Sequence, residues 1–280
     1  MKIVIADCSW GSIDVEKLYL PPGADVVGGQ CRTEAEVLTL CEDADAILAE
    51  YAPLSATVLP KLKKCKIISN TAIGYDNIAV KAAAALNIAV ANVPGYCAYE
   101  VADHTMALLL ALNRNVVGYE RSVRKQLWDI NCVPPMKRLA GQTLALLGFG
   151  NIARMVAVRA AAFGMRVLAY SPSVSRDFAS ALNVRLVSIE EALAQADIVS
   201  VHLPLRENTV GFLDAEKFAL MEKKPIFINT ARGKVVNEQA LVEALKAGIV
   251  SAAGLDVLAE EPPSFDSELF KLANVIITPH

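Results

Sequence analysis

The sequence is short of several things at once. Of its 280 residues only 6% are aromatic and 20% charged, and 27 Lys+Arg nearly balance 30 Asp+Glu, for a net charge of -3. A nucleic-acid surface needs a concentrated basic face, so nucleic acid is not an expected partner. No stretch reaches the roughly 18–20 apolar residues that span a bilayer, and no membrane role is expected. The run Met106–Leu112 stops at Asn113. The first apolar run, Ile3-Val4-Ile5-Ala6, meets Asp7 and reads as a strand, not as the core of a signal peptide. The six cysteines (Cys8, Cys31, Cys41, Cys65, Cys97, Cys132) form no C-x-x-C pair and all lie in the first half. They are expected to be free, buried thiols in a reducing cytoplasm. Tetrahedral metal sites need clustered Cys and His, so no metal is expected.

What is abundant is hydrophobicity, at 54%. That composition excludes intrinsic disorder. At roughly 100–200 residues per domain, the length suggests two domains. Short apolar runs alternate with amphipathic stretches. Predicted strands are Ile3–Ala6, Ala46–Ala49, Lys66–Ser69 and Ile88–Ala91, then Thr143–Leu147, Arg166–Tyr170, Val184–Val187, Asp197–Val201, Pro225–Asn229, Ser251–Leu255 and Val275–Ile277. Helical stretches lie between most of them, and one long helix is predicted from about Tyr99 to Trp128. Near-continuously apolar strands separated by helices mean parallel sheets covered on both faces. The expected organisation is two α/β units, residues 1–98 and 99–280.

The strand Leu144–Leu147 runs into Gly148-Phe149-Gly150-Asn151-Ile152-Ala153, which opens a helix. This is G-x-G-x-x-A in a strand–turn–helix context. The first Gly makes the tight turn and the second lets backbone approach a pyrophosphate. The small third residue lets helix and strand pack closely. Gly148, Gly150, Asn151 and Ile152 are therefore expected to bind a nicotinamide dinucleotide. An NAD site usually has an acid at the end of the next strand, to bond the ribose 2′-hydroxyl. Here that strand ends in Ser171-Pro172-Ser173, with Arg176 beyond. Hydroxyls and a cation accept a 2′-phosphate, so the cofactor is read as NAD(P), with NADP slightly favoured.

Further motifs narrow the reading. They are Gly74-Tyr75-Asp76-Asn77, Asn92-Val93-Pro94, Glu100-Val101-Ala102-Asp103-His104-Thr105, Asn229-Thr230-Ala231-Arg232-Gly233, Gly254-Leu255-Asp256-Val257, Glu260-Glu261-Pro262 and Thr278-Pro279-His280. In this order, over nearly the whole chain, they resemble the D-isomer-specific 2-hydroxyacid dehydrogenases. Within that family, Asp76-Asn77-Ile78 and the terminal Thr278-Pro279-His280 resemble most the branch with the C-terminal-binding-protein corepressors. The resemblance implies a flavodoxin-like substrate domain, a Rossmann domain and an active site in the cleft between them. It implies hydride transfer between a nicotinamide dinucleotide and a small 2-oxo or D-2-hydroxy acid.

Such chemistry needs a carboxylate anchor, a proton donor and a fixed nicotinamide. Arg232 is a permanent planar cation suited to a carboxylate. His280 titrates near neutrality, and Glu261 can hold its imidazolium protonated. The resemblance assigns the catalytic roles to these three residues. It also implies that backbone N–H groups at Ile73 and Gly74 hold the substrate carboxylate, with Arg232. Asp256 would contact the nicotinamide amide, while Thr105, Thr230, Ala231, His202 and Pro204 would line the cofactor site. His104 reads as a packed, hydrogen-bonded helix histidine. Two departures stand out: Lys234 where the family usually has a second glycine, and Asn237 where it usually has Asp. Family members continue past the final histidine with a segment that returns to the first domain. That segment is absent from this sequence, and truncation is the expected reason. The region after Tyr99 is the dimer contact in the family, so a homodimer is expected. The alternative reading is a dinucleotide-sensing, corepressor-like binding module with weak or no turnover.

Overall fold

Thr143–Leu147 is buried at every position. A strand can be apolar throughout only if both faces of its sheet are covered, and that requirement organises the whole chain. A computed structural model describes residues 1–280. The chain divides into two compact units, Met1–Cys97 and Ala98–His280.

The first unit runs β1 (Lys2–Ile5), α1 (Asp14–Tyr19), β2 (Asp25–Gly28), α2 (Glu34–Cys41), β3 (Ala46–Ala49), β4 (Ile67–Asn70), α3 (Val80–Ala85) and β5 (Ala89–Ala91). Its five strands are all parallel, in the order β2-β1-β3-β4-β5. That is the flavodoxin-like order, with a reversal of direction between β1 and β3. Thr33 starts α2 with a capping box: its hydroxyl accepts from the Glu36 N–H, and Glu36 Oε2 accepts from the Thr33 N–H at 2.9 Å. The core packs Val4, Ile47 and Ile68 from the sheet against Val37, Cys41 and Ala83 from the helices. Two elements of this unit escape the sequence reading. β2 contributes only Val26 and Val27 between polar ends at the sheet edge, and α1 buries no residue, so neither carries an apolar signal.

The second unit runs α4 (Ala98–Asn113), α5 (Val116–Arg124), β6 (Thr143–Leu147), α6 (Asn151–Ala162), β7 (Arg166–Tyr170), α7 (Arg176–Ser180), β8 (Val184–Leu186), α8 (Ile189–Gln195), β9 (Ile198–Val201), α9 (Ala215–Ala219), β10 (Ile226–Asn229), α10 (Glu238–Lys246), β11 (Ala252–Leu255) and β12 (Val275–Ile277). Its seven parallel strands follow β12-β11-β10-β9-β6-β7-β8. This is the Rossmann order extended by one strand, with its switch point between β6 and β9. Alternation along β6 sends Leu144 and Leu146 into one core and Ala145 and Leu147 into the other. α4 covers the sheet at Gly254, where an added Cβ would stand 3.1 Å from Leu108 Cβ.

The single helix expected from Tyr99 to Trp128 is two helices. Asn115 adopts the left-handed conformation (φ 50°) and divides α4 from α5. Asn tolerates that region better than most residues. A second left-handed residue, Gln126 (φ 64°), follows α5, so Leu127 and Trp128 stand in a loop beyond the helix. No helix is long and apolar enough to cross a membrane.

Candidate active site

The carboxyl ends of the strands in the second unit gather the polar residues singled out by sequence. After β6, Gly148 turns the chain at φ +104°, and an added Cβ would lie 2.5 Å from the carbonyl oxygen of His202. His202 directly follows β9, the strand beside β6. The turn is therefore pressed against the switch point, and only glycine fits. His202 Nε2 lies 2.9 Å from Ser200 Oγ, and burial pushes its pKa down to about 4, so the ring is neutral at physiological pH. Pro204 is exposed two residues on.

Gly150 stands at the N-cap of α6, which no side chain caps. A Cβ placed on Gly150 would meet nothing within 4 Å. The open turn and the unspent N–H groups of Asn151 and Ile152 make a cradle of the shape and polarity that a pyrophosphate needs. The residues present thus fit a dinucleotide. Beyond β7, Ser175 is spent as the N-cap of α7, accepting from the Phe178 N–H at 3.3 Å. Ser171 is half-buried, whereas Ser173 and Arg176 are exposed.

β10 ends in a turn fixed by Asn229. Its Oδ1 accepts from the Ala231 N–H and its Nδ2 donates to the Arg232 carbonyl, both at 3.0 Å. Thr105, on α4, donates to Val101 O, so its oxygen must accept from the Thr230 hydroxyl, 2.8 Å away. The Arg232 side chain donates to Ala231 O at 2.8 Å. Gly233 touches the next loop so closely that a Cβ would fall 1.9 Å from the carbonyl carbon and oxygen of Leu258. That loop carries Glu261. Glu261 Oε1 accepts from the Leu258 N–H at 2.8 Å, and its Oε2 meets His280 Nδ1 at 2.7 Å.

Arg232, Glu261 and His280 are thereby brought together, and their charges act on one another. The hydrogen bond to Glu261 is the main reason that His280 is raised above 6.5. Burial and the Arg232 charge oppose the rise, and the Asp256 carboxylate assists it. For Glu261, burial pushes upward as the largest single influence. The bonds from His280 and Leu258, with the His280 and Arg232 charges, outweigh it and hold the carboxyl low. The pair favours carboxylate and imidazolium.

Asp256 and Thr278 sit on adjacent parallel strand ends. Thr278 donates to Asp256 Oδ1 at 2.6 Å. Its oxygen then accepts from His104 Nε2, 2.9 Å away, which fixes the proton on that nitrogen. His104 Nε2 also lies 3.3 Å from Asp256 Oδ1. His104 is thus the packed, hydrogen-bonded helix histidine that its sequence context predicts, but its partners Thr278 and Asp256 are not legible from the sequence. Thr278 is 174 residues away, beyond any local pattern. No group of three or more His, Cys, Asp or Glu could hold a metal ion.

In the first unit, Ile73 and Gly74 follow β4. The Ile73 carbonyl accepts from Asn92 Nδ2 at 2.8 Å, and the Gly74 carbonyl accepts from the buried Asn70. A planar trans peptide points its N–H opposite to its C=O, so the Gly74 and Tyr75 N–H groups turn away from these clamps. β3 neighbours β4, and at its end lies Glu50, buried, its Oε2 accepting from the Ser9 N–H at 2.9 Å and hydroxyl at 2.6 Å.

Known proteins show the same arrangement of chain. The model for the D-isomer specific 2-hydroxyacid dehydrogenase NAD-binding domain matches residues 106–280. A glyoxylate reductase of Korarchaeum cryptofilum is 40% identical over 272 residues, covering 96% of this chain and 79% of that protein. A D-3-phosphoglycerate dehydrogenase of Mycobacterium leprae is 40% identical over 255 residues, covering 91% of this chain and 48% of its own length. The chain thus spans about half the length of the D-3-phosphoglycerate dehydrogenases it matches. Among solved structures, an acyclic imino acid reductase (Bsp5) in complex with NADPH and D-Arg superposes with a TM-score of 0.90 at 29% identity, over 100% of this chain and 89% of that one. With a family model matching well over half of the chain and a relative 40% identical over 96% of it, the chain belongs to the D-isomer specific 2-hydroxyacid dehydrogenase family.

Proposed function

We propose that this protein reduces a small 2-oxo acid to its D-2-hydroxy acid, and runs the reverse reaction, with a nicotinamide dinucleotide held at Gly148–Ile152. The observation that carries the reading is the His280 Nδ1 to Glu261 Oε2 bond of 2.7 Å. A module that only senses a dinucleotide has no need of a proton donor, and an imidazole held by a carboxylate is one. A dinucleotide held at Gly148–Ile152 would supply the hydride. Arg232 holds the substrate carboxylate; within the first unit, the amides at Ile73 and Gly74 are donors suited to the same kind of group. His280 donates a proton from Nε2 to the forming alkoxide while Glu261 steadies Nδ1–H. Asp256, oriented by Thr278 and His104, would hold the nicotinamide amide. Thr105, Thr230, Ala231, His202 and Pro204 shape the remainder of the cofactor site.

The substrate class follows from Glu50. Its buried carboxylate follows β3, the strand paired with the one that leads to Ile73 and Gly74, and would disfavour a second anion at that end of the sheet. We therefore favour unphosphorylated 2-oxo acids over phosphorylated ones. At β7 the absence of an acid, with Ser171 in its place and cations nearby, favours NADP over NAD. The six unpaired thiols suit a reducing cytoplasm, and burial pushes that of Cys41 up to about 12, where it is inert.

The test is a panel of 2-oxo acids, with and without a phosphate, assayed with NADPH and NADH by loss of nicotinamide absorbance. Turnover of an unphosphorylated acid is expected, falling roughly 10²–10⁴-fold in His280→Gln. No turnover of any member, with the dinucleotide still bound, would favour the corepressor-like module instead.

A further inference from the structure

We propose that Arg154 is the residue that binds the 2′-phosphate of an NADP-type dinucleotide. The inference rests on the dinucleotide reading above and assigns the recognition to a residue outside its motifs. Arg154 immediately follows the G-x-G-x-x-A turn, in the first turn of α6. Its Nε donates to the Phe149 carbonyl, inside the glycine turn, at 3.2 Å. Its guanidinium carbon lies 4.5 Å from the centroid of the Phe178 ring, on α7, and 5.9 Å from that of Phe149. The guanidinium therefore bridges the turn after β6 and the helix after β7. Between those two elements runs the β7 end, where the ribose 2′ position of a Rossmann-bound dinucleotide falls.

The charge on Arg154 is unspent. No carboxylate pairs with it, whereas Arg159, one turn and a half along the same helix, pairs with Asp103 at 2.6 Å, and Arg185 on β8 pairs with Glu191 at 2.8 Å. A half-buried cation held without a counter-ion is poised for an anionic ligand. Nε is committed to Phe149, which leaves the two terminal nitrogens as a fork matched to two phosphate oxygens. The Phe178 face fixes the plane of the fork, so little rotamer freedom is lost on binding. The pyrophosphate is served by the amides of the glycine turn, and Ser171 stands where an acid would have repelled a second phosphate. Arg176, the cation that sequence proposed, is exposed and makes no comparable contact with the glycine turn.

The experiment measures binding, not turnover. Wild type, Arg154→Gln and Phe178→Leu are titrated calorimetrically with 2′,5′-ADP and with 5′-AMP, after their melting temperatures are compared. Wild type should bind 2′,5′-ADP the more tightly. Arg154→Gln should lose about 10–100-fold for 2′,5′-ADP, the worth of a charge-assisted hydrogen-bonded pair, and change little for 5′-AMP. Phe178→Leu keeps the charge and loses the platform, and should show a smaller loss, again for 2′,5′-ADP alone. It serves as the readout if Arg154→Gln folds poorly. Equal losses for both nucleotides would place the guanidinium on a shared group and overturn the assignment. So would unaltered discrimination in both variants. If wild type binds neither nucleotide, or both equally, the dinucleotide reading or its NADP preference fails at the outset, which is distinguishable from a failure of Arg154 alone.

Discussion

A single carboxylate sets the working pH of the site. Glu261 accepts from both His280 and the Leu258 amide, so it is held low while His280 is held above 6.5. In the proposed reaction, reduction needs the imidazolium, so its rate should stay high below the raised pKa and fall as pH rises through it. Oxidation needs the neutral ring and should show the opposite limb. Glu261→Gln removes the negative charge, so the falling limb should move to lower pH in a pH–rate profile. An unmoved limb would separate Glu261 from the acid. His202 titrates the other way. Its pKa is depressed from 6.5 to about 4 by burial. The unfolded chain takes up a proton below 6.5 that the folded chain refuses, so stability is full above 6.5 and declines as pH falls. By pH 4 the loss should be about 3 kcal/mol. Thermal melts of wild type and His202→Asn between pH 4 and 7 check this: the variant should lose the part of the acid dependence that His202 supplies.

At the scale of elements, two loops are joined by a missing side chain. Gly233 lies directly on the Leu258 carbonyl, which ties the Arg232 turn after β10 to the Glu261 loop after β11. Gly233→Ala puts a Cβ 1.9 Å from that carbonyl, and one loop must move. A stability loss of about 1–3 kcal/mol is expected from such overpacking. The activity loss should be larger, since a misplacement of about 1 Å can cost on the order of 10²-fold. Comparing kcat/KM with the denaturation midpoint separates the two. The break between α4 and α5 follows the same logic of local conformation. Helical periodicity continues past Asn113, yet the left-handed Asn115 ends the helix, and only backbone geometry reveals it. The strands were easier to read: Ala46–Ala49, Thr143–Leu147, Arg166–Tyr170 and Val275–Ile277 form where the apolar runs put them. β2 was not, because an edge strand with two apolar residues has no periodic signal.

At the scale of the molecule, exposed apolar surface asks for a partner. Trp128 is 89% and Ile130 79% accessible, close to the half-exposed Val116, Val123 and Leu127 in sequence. Large apolar side chains grouped this way mark an interface. We propose a two-fold homodimer through the region of α5 and the loop after it. Light scattering should give twice the chain mass of 30.0 kDa, and Trp128→Asp with Ile130→Asp should shift the protein toward the monomer. A wild-type mass of one chain at micromolar concentration would exclude the dimer.

The sequence by itself determined the class of fold, because apolar runs of strand length between amphipathic helices have one stable solution, a parallel sheet covered on both faces. It also named Arg232, Glu261, His280 and the glycine turn, because each sits in a short motif whose spacing is local. Tertiary structure alone decided what those residues touch. The Nδ1 bond to Glu261 spans 19 residues and the His104–Thr278 bond 174. The Arg154 stack joins helices that follow different strands. Such contacts depend on strand order in the sheet, and no periodicity along the chain encodes which strand ends become neighbours.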